Sequence, residues 1–239
     1  MTRIVPEATG RRTPAVSGDR RIEILGVAGA GKSTLAARLA GGAGVEMAGF
    51  IHTRRPSHLL EVVRAIPRLF PILSAGLVRS PRISWPEWKL LVYVTRWRSF
   101  LERRTPSGTV LLFDQGPLYA LVRLEAEGKP FTTRPAFERW RDEMVEGWAD
   151  ELSLVIFLDA PDAVLWDRIN VRLQDHKAKG EEAKEGLRFI ARYRRSFESL
   201  LGTVEALGGP QVLRFDTGST TPAQIAERVD AVLRSARGR

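Results

Sequence analysis

The stretch Gly26-Val27-Ala28-Gly29-Ala30-Gly31-Lys32-Ser33 has the residue types and spacing of an anion-binding loop. It matches the pattern G-x-x-x-x-G-K-[ST] and lies between a predicted strand and a predicted helix, which is the context this pattern requires. The glycines let backbone N–H groups converge on an anion, and the start of the following helix adds partial positive charge. Lys32 is placed to hold the β- and γ-phosphates of a nucleotide, and Ser33 is placed to ligate Mg²⁺. The sequence therefore predicts a site for ATP with Mg²⁺, and a glycine turn with an incidental lysine is the structural alternative.

Asp114 is a second residue with chemical potential, because it directly follows the apolar run 110–113. The carboxyl ends of neighbouring parallel strands open on the same crevice, so we expect Asp114 beside the glycine loop. There it could hold the metal bound at Ser33 or accept a proton from an attacking hydroxyl. The structural alternative is a cap for the helix predicted to begin near Pro117. Asp159 also follows a predicted strand, and orienting the next helix is at least as well supported for it as catalysis.

Arg168 and Arg172 lie four residues apart on a predicted helix and therefore share one face. The polar stretch 173–180 follows them. A basic helix end that leads into a polar loop fits a phosphoryl-transfer lid, because guanidinium groups stabilise the transferring oxygens and closure excludes water. We predict a lid at 172–186, and a solvated helix face paired with neighbouring aspartates is the alternative.

These patterns together define a predicted site. The predicted catalytic residues are Lys32, Asp114, Arg168 and Arg172, and the predicted metal ligands are Ser33 and Asp114. The predicted nucleotide-binding residues are Gly26, Ala28, Gly29, Ala30, Gly31, Lys32, Ser33 and Thr34. The histidines have no metal-ligand spacing, and for Trp85, Trp88 and Trp97 packing is favoured over base stacking.

The elements that must position these residues alternate between strands and helices. Short apolar runs predict buried strands at 22–25, 109–113, 152–158 and 211–215, with a weaker candidate at 45–51. Helices are predicted at 32–40, 86–104, 136–148, 163–173, 187–207 and 222–235. This alternation predicts an α/β fold with a five-stranded parallel sheet between two layers of helices. We expect the helical stretch 56–104 to be broken into pieces by Pro67, Pro71, Pro81 and Pro86.

The organisation of the chain is predicted to be one domain at 21–239 after a mobile tail at 1–20, which contains no apolar run. The helical stretch 56–104 is an insertion or a region that covers the substrate. The longest mainly apolar stretch, 66–78, is too short and too interrupted to span a bilayer. The chain has no cysteine, which fits a reducing compartment, and we expect a cytoplasmic location.

Positive charge is concentrated in one region. The net charge is +9, and the segment 50–104 has eleven lysines and arginines against three glutamates. Such a segment could face a phosphorylated substrate, an anionic membrane surface or a nucleic acid, or it could be a solvated face that serves solubility. Nucleic acid is the least favoured partner because the segment contains many large apolar residues and no recognisable binding module. A homodimer is also compatible with the sequence.

In this order, the motifs resemble those of the P-loop nucleoside and nucleotide kinases, the thymidylate-kinase-like group in particular. Besides the glycine loop, the resemblance rests on FLDAPDAVLWDRINVR, ARYRRSFESLL and VLRFDTGSTTPAQIAERVDAVL. It covers most of 21–233 in scattered motifs, and it implies that the backbone at 216–219 borders adenine. Three residues depart from the group's pattern: Arg55 replaces an acid, Gln115 replaces an arginine, and Gln174 replaces a lid arginine.

The expected activity is that of an ATP- and Mg²⁺-dependent kinase that transfers the γ-phosphoryl group to a small acceptor. A nucleoside or nucleotide is the first acceptor class expected, followed by a sugar or antibiotic hydroxyl. The rival is a P-loop NTPase that couples hydrolysis to a partner through its basic segment. The rival is disfavoured because a hydrolytic motor usually has paired acids after its second acidic strand, whereas Gln115 follows Asp114 here.

Overall fold

The computed structural model describes residues 20–42, 44–48, 56–77, 83–101, 109–127, 130–171 and 183–235. The described strands are β1 (Arg20–Gly26), β2 (Val45–Met47), β3 (Val110–Asp114), β4 (Leu154–Asp159) and β5 (Gln211–Asp216). The described α-helices are α1 (Lys32–Ala40), α2 (Pro56–Leu77), α3 (Trp85–Leu101), α4 (Pro117–Ala126), α5 (Pro135–Ala149), α6 (Asp162–Val171), α7 (Ala183–Ala206) and α8 (Pro222–Ser235). A 3₁₀ turn at Pro130–Thr133 precedes α5.

The strands form one parallel sheet in the order β2-β3-β1-β4-β5, which confirms the predicted five-stranded sheet. Ile24 and Leu25 of the central strand β1 are both fully buried. Since successive strand residues point to opposite faces, helices must cover both faces of the sheet. In the register of β1 and β3, Ile24 lies opposite Asp114. The loop after β1 and the turn after β3 therefore open at the same edge of the sheet.

Helix α2 shows that one prediction was wrong, because the helix continues through Pro67 and Pro71. Each proline removes one backbone hydrogen bond of the helix. Both prolines are exposed and lie four residues apart on the same face, where water can satisfy the freed carbonyl groups. The opposite face anchors the helix through buried side chains, which are Ala65, Leu69 and Ile72. Tertiary packing therefore outweighs the unfavourable propensity.

The other predicted boundaries shift by a few residues. The helix predicted at 187–207 already begins at Ala183, and α3 begins at Trp85 with Pro86 in its first turn, where proline costs no helical hydrogen bond. The predicted tail ends one residue early, because Arg20 begins β1. Its residues 1–19 lie outside the described part of the chain, as do 172–182 of the predicted lid. No helix among the described residues is long and apolar enough to cross a membrane.

Candidate active site

The glycine loop joins β1 to α1, and its backbone explains its composition. Gly29 and Gly31 have φ values of 83° and 86°, in the left-handed region that favours glycine. A Cβ atom at Gly29 would also lie 2.8 Å from the carbonyl oxygen of Leu165 in α6. Gly31 is the N-cap of α1, and no side chain caps this helix start. The loop therefore presents a helix N-terminus, which favours an anion, at the edge of the sheet.

Lys32 lies folded over this loop and is only 7% exposed. Its Nζ donates hydrogen bonds to the carbonyl oxygens of Gly26, at 2.8 Å, and Val27, at 2.9 Å. The ammonium also lies 5.5 Å from the centre of the Tyr119 ring at the start of α4. Phosphate oxygens are stronger acceptors for an ammonium than neutral carbonyls are. A phosphate ligand at this loop could therefore replace the two carbonyl oxygens as the acceptor for Nζ of Lys32.

Ser33 and Asp114, the two predicted metal ligands, are in direct contact. The Ser33 hydroxyl donates a hydrogen bond of 2.9 Å to Oδ2 of Asp114. The other carboxylate oxygen, Oδ1, is buried and has no hydrogen-bond partner among the described residues. A buried oxygen of this kind is costly, and it marks a place where a cation or a proton donor would be favourable. The capping alternative is wrong, because Gly116 is the N-cap of α4, and the N–H groups of Leu118 and Tyr119 in the first turn donate to Glu23 rather than to Asp114.

This pair fits Mg²⁺ in its chemistry. Mg²⁺ prefers oxygen ligands and is commonly held by one or two protein groups together with phosphate oxygens and waters. No cluster of three or more His, Cys, Asp or Glu side chains with metal-binding geometry occurs in the described part of the chain. A hydroxyl and a carboxylate beside an anion-binding loop are therefore suited to a metal shared with a phosphate ligand.

Arg168 lies at a cavity of about 490 Å³ that adjoins the glycine loop. Its guanidinium donates to the hydroxyl and the carbonyl oxygen of Thr217, both at 2.9 Å, and to the carbonyl oxygen of Gly29 at 3.4 Å. The arginine thereby ties the glycine loop to the turn after β5. Arg172, its predicted partner, lies outside the described residues.

The cavity is large enough for a nucleoside-sized ligand. Thr217 contributes to its wall, and it belongs to the segment 216–219 that the resemblance placed beside adenine. A hydrogen bond of 2.7 Å from the Gly218 N–H to Oδ1 of Asp216 shapes this turn. The other lining residues include Ala30, Gly31, Thr34, Leu35, Leu158, Asp167, Val171, Thr220, Pro222 and Ile225. Of the predicted nucleotide-binding residues, Gly29, Ala30, Gly31 and Thr34 thus share one cavity wall.

Asp159 has a structural partner that accounts for its position. Its carboxylate accepts hydrogen bonds from Nε of Arg194 at 2.6 Å and from Nη2 of Arg194 at 3.1 Å. Arg194 also contacts Asp162 at the start of α6, at 2.5 Å. These hydrogen bonds raise the pKa of the guanidinium, with the bond to Asp159 the largest cause. The contacts tie α7 to the start of α6, which supports an orienting role for Asp159 over a catalytic one.

Glu23 is a charged residue of the central strand that the sequence prediction treated as part of an apolar run. It is fully buried and accepts hydrogen bonds from Nε1 of Trp148 at 2.6 Å, from the N–H of Tyr119 at 2.9 Å and from the N–H of Leu118 at 3.3 Å. Burial raises the pKa of its carboxyl from 4.5 to about 7. Two signals could have revealed it: an acid within the apolar strand, and a glycine, Gly116, shortly after Asp114.

No protein-family model matches the sequence, and no curated protein matches it. Solved structures do resemble it in fold. A deoxyadenosine kinase from M. mycoides with bound dATP is 14% identical, with a TM-score of 0.51 over 89% of this chain and 98% of that one. A thymidylate kinase from Candida albicans is 17% identical, with a TM-score of 0.56 over 92% of each chain.

A third structure is the YorR protein from Bacillus subtilis in complex with phosphorylated GDP, which is 15% identical. Its TM-score is 0.52, over 92% of this chain and 98% of that chain. At this level of identity the likeness establishes the fold, and the fold implied by the sequence resemblance is confirmed. The chain has the α/β fold of the P-loop nucleotide kinases.

Proposed function

We propose that the chain is a cytoplasmic, ATP- and Mg²⁺-dependent phosphotransferase acting on a small acceptor, with a nucleoside or nucleotide as the first acceptor class. The observation that carries this proposal is the hydrogen bond of 2.9 Å between Ser33 and Asp114 beside Lys32. It brings together the cation, the hydroxyl and the carboxylate that a phosphoryl-transfer site requires. The fold supports the acceptor class, because the similar structures include a deoxyadenosine kinase with bound dATP and a thymidylate kinase.

Each group around the contact between Ser33 and Asp114 has a proposed role. The loop N–H groups and Lys32 hold the phosphates, and Lys32 exchanges its bonds to Gly26 and Val27 for bonds to phosphate oxygens. Ser33 and Asp114 hold Mg²⁺, which neutralises charge on the phosphates when it is bound. The buried Oδ1 of Asp114 is available to the metal or to the proton of an acceptor hydroxyl.

Arg168 is proposed to act from the side of the cavity. Its bonds to Thr217 and Gly29 hold the turn after β5 against the glycine loop, so the arginine shapes the space that would receive the nucleoside part of ATP. Its charge also lies one helical turn before Arg172 in the sequence. A lid at 172–186 that brings Arg172 to the transferring phosphoryl group is part of the proposal.

The experiment that tests this function is ADP release from ATP over a panel of nucleosides, nucleotides, sugars and aminoglycosides. Release that depends on one acceptor class supports transfer and names the class. Equal release with and without every acceptor would favour the hydrolase rival. The variant Asp114→Asn should lose most of its activity, whereas the matched control Asp142→Asn, an exposed acid on α5, should keep full activity.

The exposed face of α2 supports a peripheral contact with an anionic membrane surface. Four large apolar side chains lie on this face, at exposures of 62% for Phe70, 55% for Val63, 49% for Leu60 and 42% for Ile66. The opposite face is buried, so α2 is apolar on both sides, which is unusual for a helix that borders water. Phe and Leu beside basic residues are typical of helices that lie in a bilayer interface.

Charge distinguishes the membrane from a second copy of the chain as the occupant of this face. The segment 56–104, which contains α2 and α3, has nine lysines and arginines against three glutamates. Two such segments would repel each other across a symmetric interface, whereas anionic lipid attracts them.

Co-sedimentation with vesicles tests the membrane contact. Binding to vesicles that contain phosphatidylglycerol, but not to neutral phosphatidylcholine vesicles, is expected. The variant Phe70→Ser with Val63→Ser should lose this binding, and the control Leu187→Ser, which removes an exposed leucine from α7, should keep it. A dimer in solution that the double variant dissociates, without any vesicle binding by the original chain, would replace the membrane by a second copy.

A further inference from the structure

We propose that Glu23 is a positioning residue that holds the start of α4 and thereby fixes the turn carrying Asp114 beside Ser33. The inference rests on the proposed phosphotransferase function, which does not itself assign Glu23 a role. It concerns the side of β1 that faces α4 and α5, away from the cavity at Arg168.

Glu23 of β1 caps the first turn of α4. Gly116 is the N-cap of α4 and provides no side chain, so the N–H groups of the first turn need another acceptor. Glu23 accepts from two of them, those of Leu118 and Tyr119, and from Nε1 of Trp148 in α5. A carboxylate at this point also complements the positive end of the helix dipole. The central strand thus fixes where α4 begins.

Only a short connection separates this anchor, the contact of Glu23 with the first turn of α4, from Asp114. Between Asp114 and Gly116 lies Gln115, whose φ of 69° is in the left-handed region that few residues other than glycine adopt. Such a conformation persists only where its surroundings hold it in place. On one side it is held by β3, and on the other by the start of α4. Gly116 lies so close to the anchor that a Cβ atom there would be 2.6 Å from Cδ of Glu23.

The same anchor also contacts Lys32, through Tyr119. Tyr119 donates its N–H to Glu23, and its ring lies 5.5 Å from Nζ of Lys32. The first turn of α4 therefore borders both the cation and the carboxylate of the proposed site. Because Glu23 is fully buried, it has no access to a substrate and can act only through these residues.

Stability alone is a weak explanation for this carboxyl. Removing a carboxyl group from water is costly, and well-packed apolar residues often replace buried polar networks without loss of stability. Two of the three donors to Glu23 lie in the first turn of α4, directly after the turn that carries the proposed catalytic carboxylate, and an effect on that turn explains the buried acid.

The test compares Glu23→Gln with Glu125→Gln. Glu125 lies near the end of α4 and pairs with Arg141 of α5 at 2.9 Å, so its variant perturbs the contact between α4 and α5 away from the Asp114 turn. Glu23→Gln keeps the shape but presents an NH₂ group to at least one donor. We expect kcat to fall by about 10- to 100-fold, because small misplacements of catalytic groups have effects of this size. The affinity for nucleotide, measured in EDTA to remove Mg²⁺, should change little. Glu125→Gln should leave kcat unchanged, and Trp148→Phe, which removes one donor only, should give a smaller loss.

The double variant of Glu23→Gln with Asp114→Asn decides whether Glu23 acts through Asp114. If it does, the double variant is no slower than Asp114→Asn alone, because the group being positioned is already gone. Losses that multiply would overturn the proposal, as would an unchanged kcat in Glu23→Gln.

Hydrogen–deuterium exchange gives a reading that does not depend on activity. Glu23→Gln should speed exchange in the segment 114–121, and Glu125→Gln should not. If the original chain transfers phosphate to no acceptor, the proposed function fails, but exchange still decides whether Glu23 holds the turn. Unchanged exchange in 114–121 would overturn the positioning role whatever the activity.

Discussion

The corner of the proposed site, formed by Lys32, Ser33, Asp114 and Arg168, and the helical pair α2–α3 are built by different kinds of contact. At the corner, polar side chains from separate strands and loops bond to one another, as in the 2.9 Å contacts of Ser33 with Asp114 and of Arg168 with Thr217. In α2 and α3 the described contacts are mainly apolar, with Trp97 buried against Phe113 and Phe70 largely exposed. Hydrogen bonds constrain the distance and angle between their partners, whereas apolar packing tolerates substitutions that keep volume and pattern.

Under the proposed function, this difference separates the residues that would carry out the reaction from the helices that would contact its partner. A phosphoryl-transfer site needs fixed charges and donors, and these lie at the corner. An acceptor-binding or membrane-binding surface can change its side chains without disturbing that geometry. Substitutions at the corner should therefore change turnover by orders of magnitude, and substitutions in α2 and α3 should change what the chain binds.

The largest effect is expected for Lys32→Ala. The ammonium is the buried cation proposed to hold the β- and γ-phosphates, and its loss should lower turnover by about 1000-fold. Stability should change little, because the lysine's contacts with Gly26 and Val27 lie at the end of β1 and in the loop that follows it. Steady-state kinetics and thermal unfolding check this. A folded variant with near-normal turnover would show that the corner is not the site.

Asp114→Asn should have the next largest effect. The amide keeps the size of the side chain but loses the charge that would hold Mg²⁺, so turnover should fall by about 100-fold or more. Raising the Mg²⁺ concentration should restore part of the loss, which a purely structural role would not explain. Because Asp114 does not cap α4, the melting temperature should stay close to that of the original chain. A large fall in melting temperature with normal specific activity would contradict the prediction.

The sequence predicted those parts of the corner that depend on local pattern. Glycine spacing identified the loop, and an acid after an apolar run identified Asp114, because both signals lie within a few neighbouring residues. It could not predict the bond from Trp148 to Glu23, which joins residues 125 positions apart. It also could not predict that Arg168 pairs with Thr217, or that α2 continues through its prolines, since tertiary packing decides both.

Glu23 should make the free energy of unfolding fall as the pH rises, which is the opposite of the effect of an acid whose pKa is lowered by an ion pair. Its pKa is raised from 4.5 to about 7 in the folded chain, so the folded state binds more protons than the unfolded state in this range. The stabilisation is present below pH 4.5 and is lost as the pH rises through about 7. Relative to Glu23→Gln, the free energy of unfolding should fall by about 2 to 3 kcal/mol between pH 5 and pH 8.

Urea unfolding of both chains at four pH values checks this dependence. Among the described residues, Tyr93 is a titratable group that interacts with Glu23, and burial and the charge of Glu23 raise its pKa well above 10, so it stays neutral throughout this range. Parallel stability curves for the two chains would show that Glu23 does not titrate here.

The smallest effect is expected for Arg168, and its kind distinguishes two roles. If Arg168 only shapes the cavity through Thr217 and Gly29, Arg168→Ala should raise the KM for ATP by about tenfold and leave kcat nearly unchanged. If it also reaches the transferring phosphoryl group, kcat should fall more than KM rises, because that charge is needed mainly in the transition state. Its present bonds favour the first outcome.

Arg168→Lys sharpens the test, because lysine keeps the charge but cannot make the forked contact with the hydroxyl and carbonyl of Thr217. A lysine variant that restores kcat but not KM would place the charge at the phosphates and the fork at the turn. If kcat is normal and KM is raised in both the alanine and the lysine variant, Arg168 only shapes the cavity.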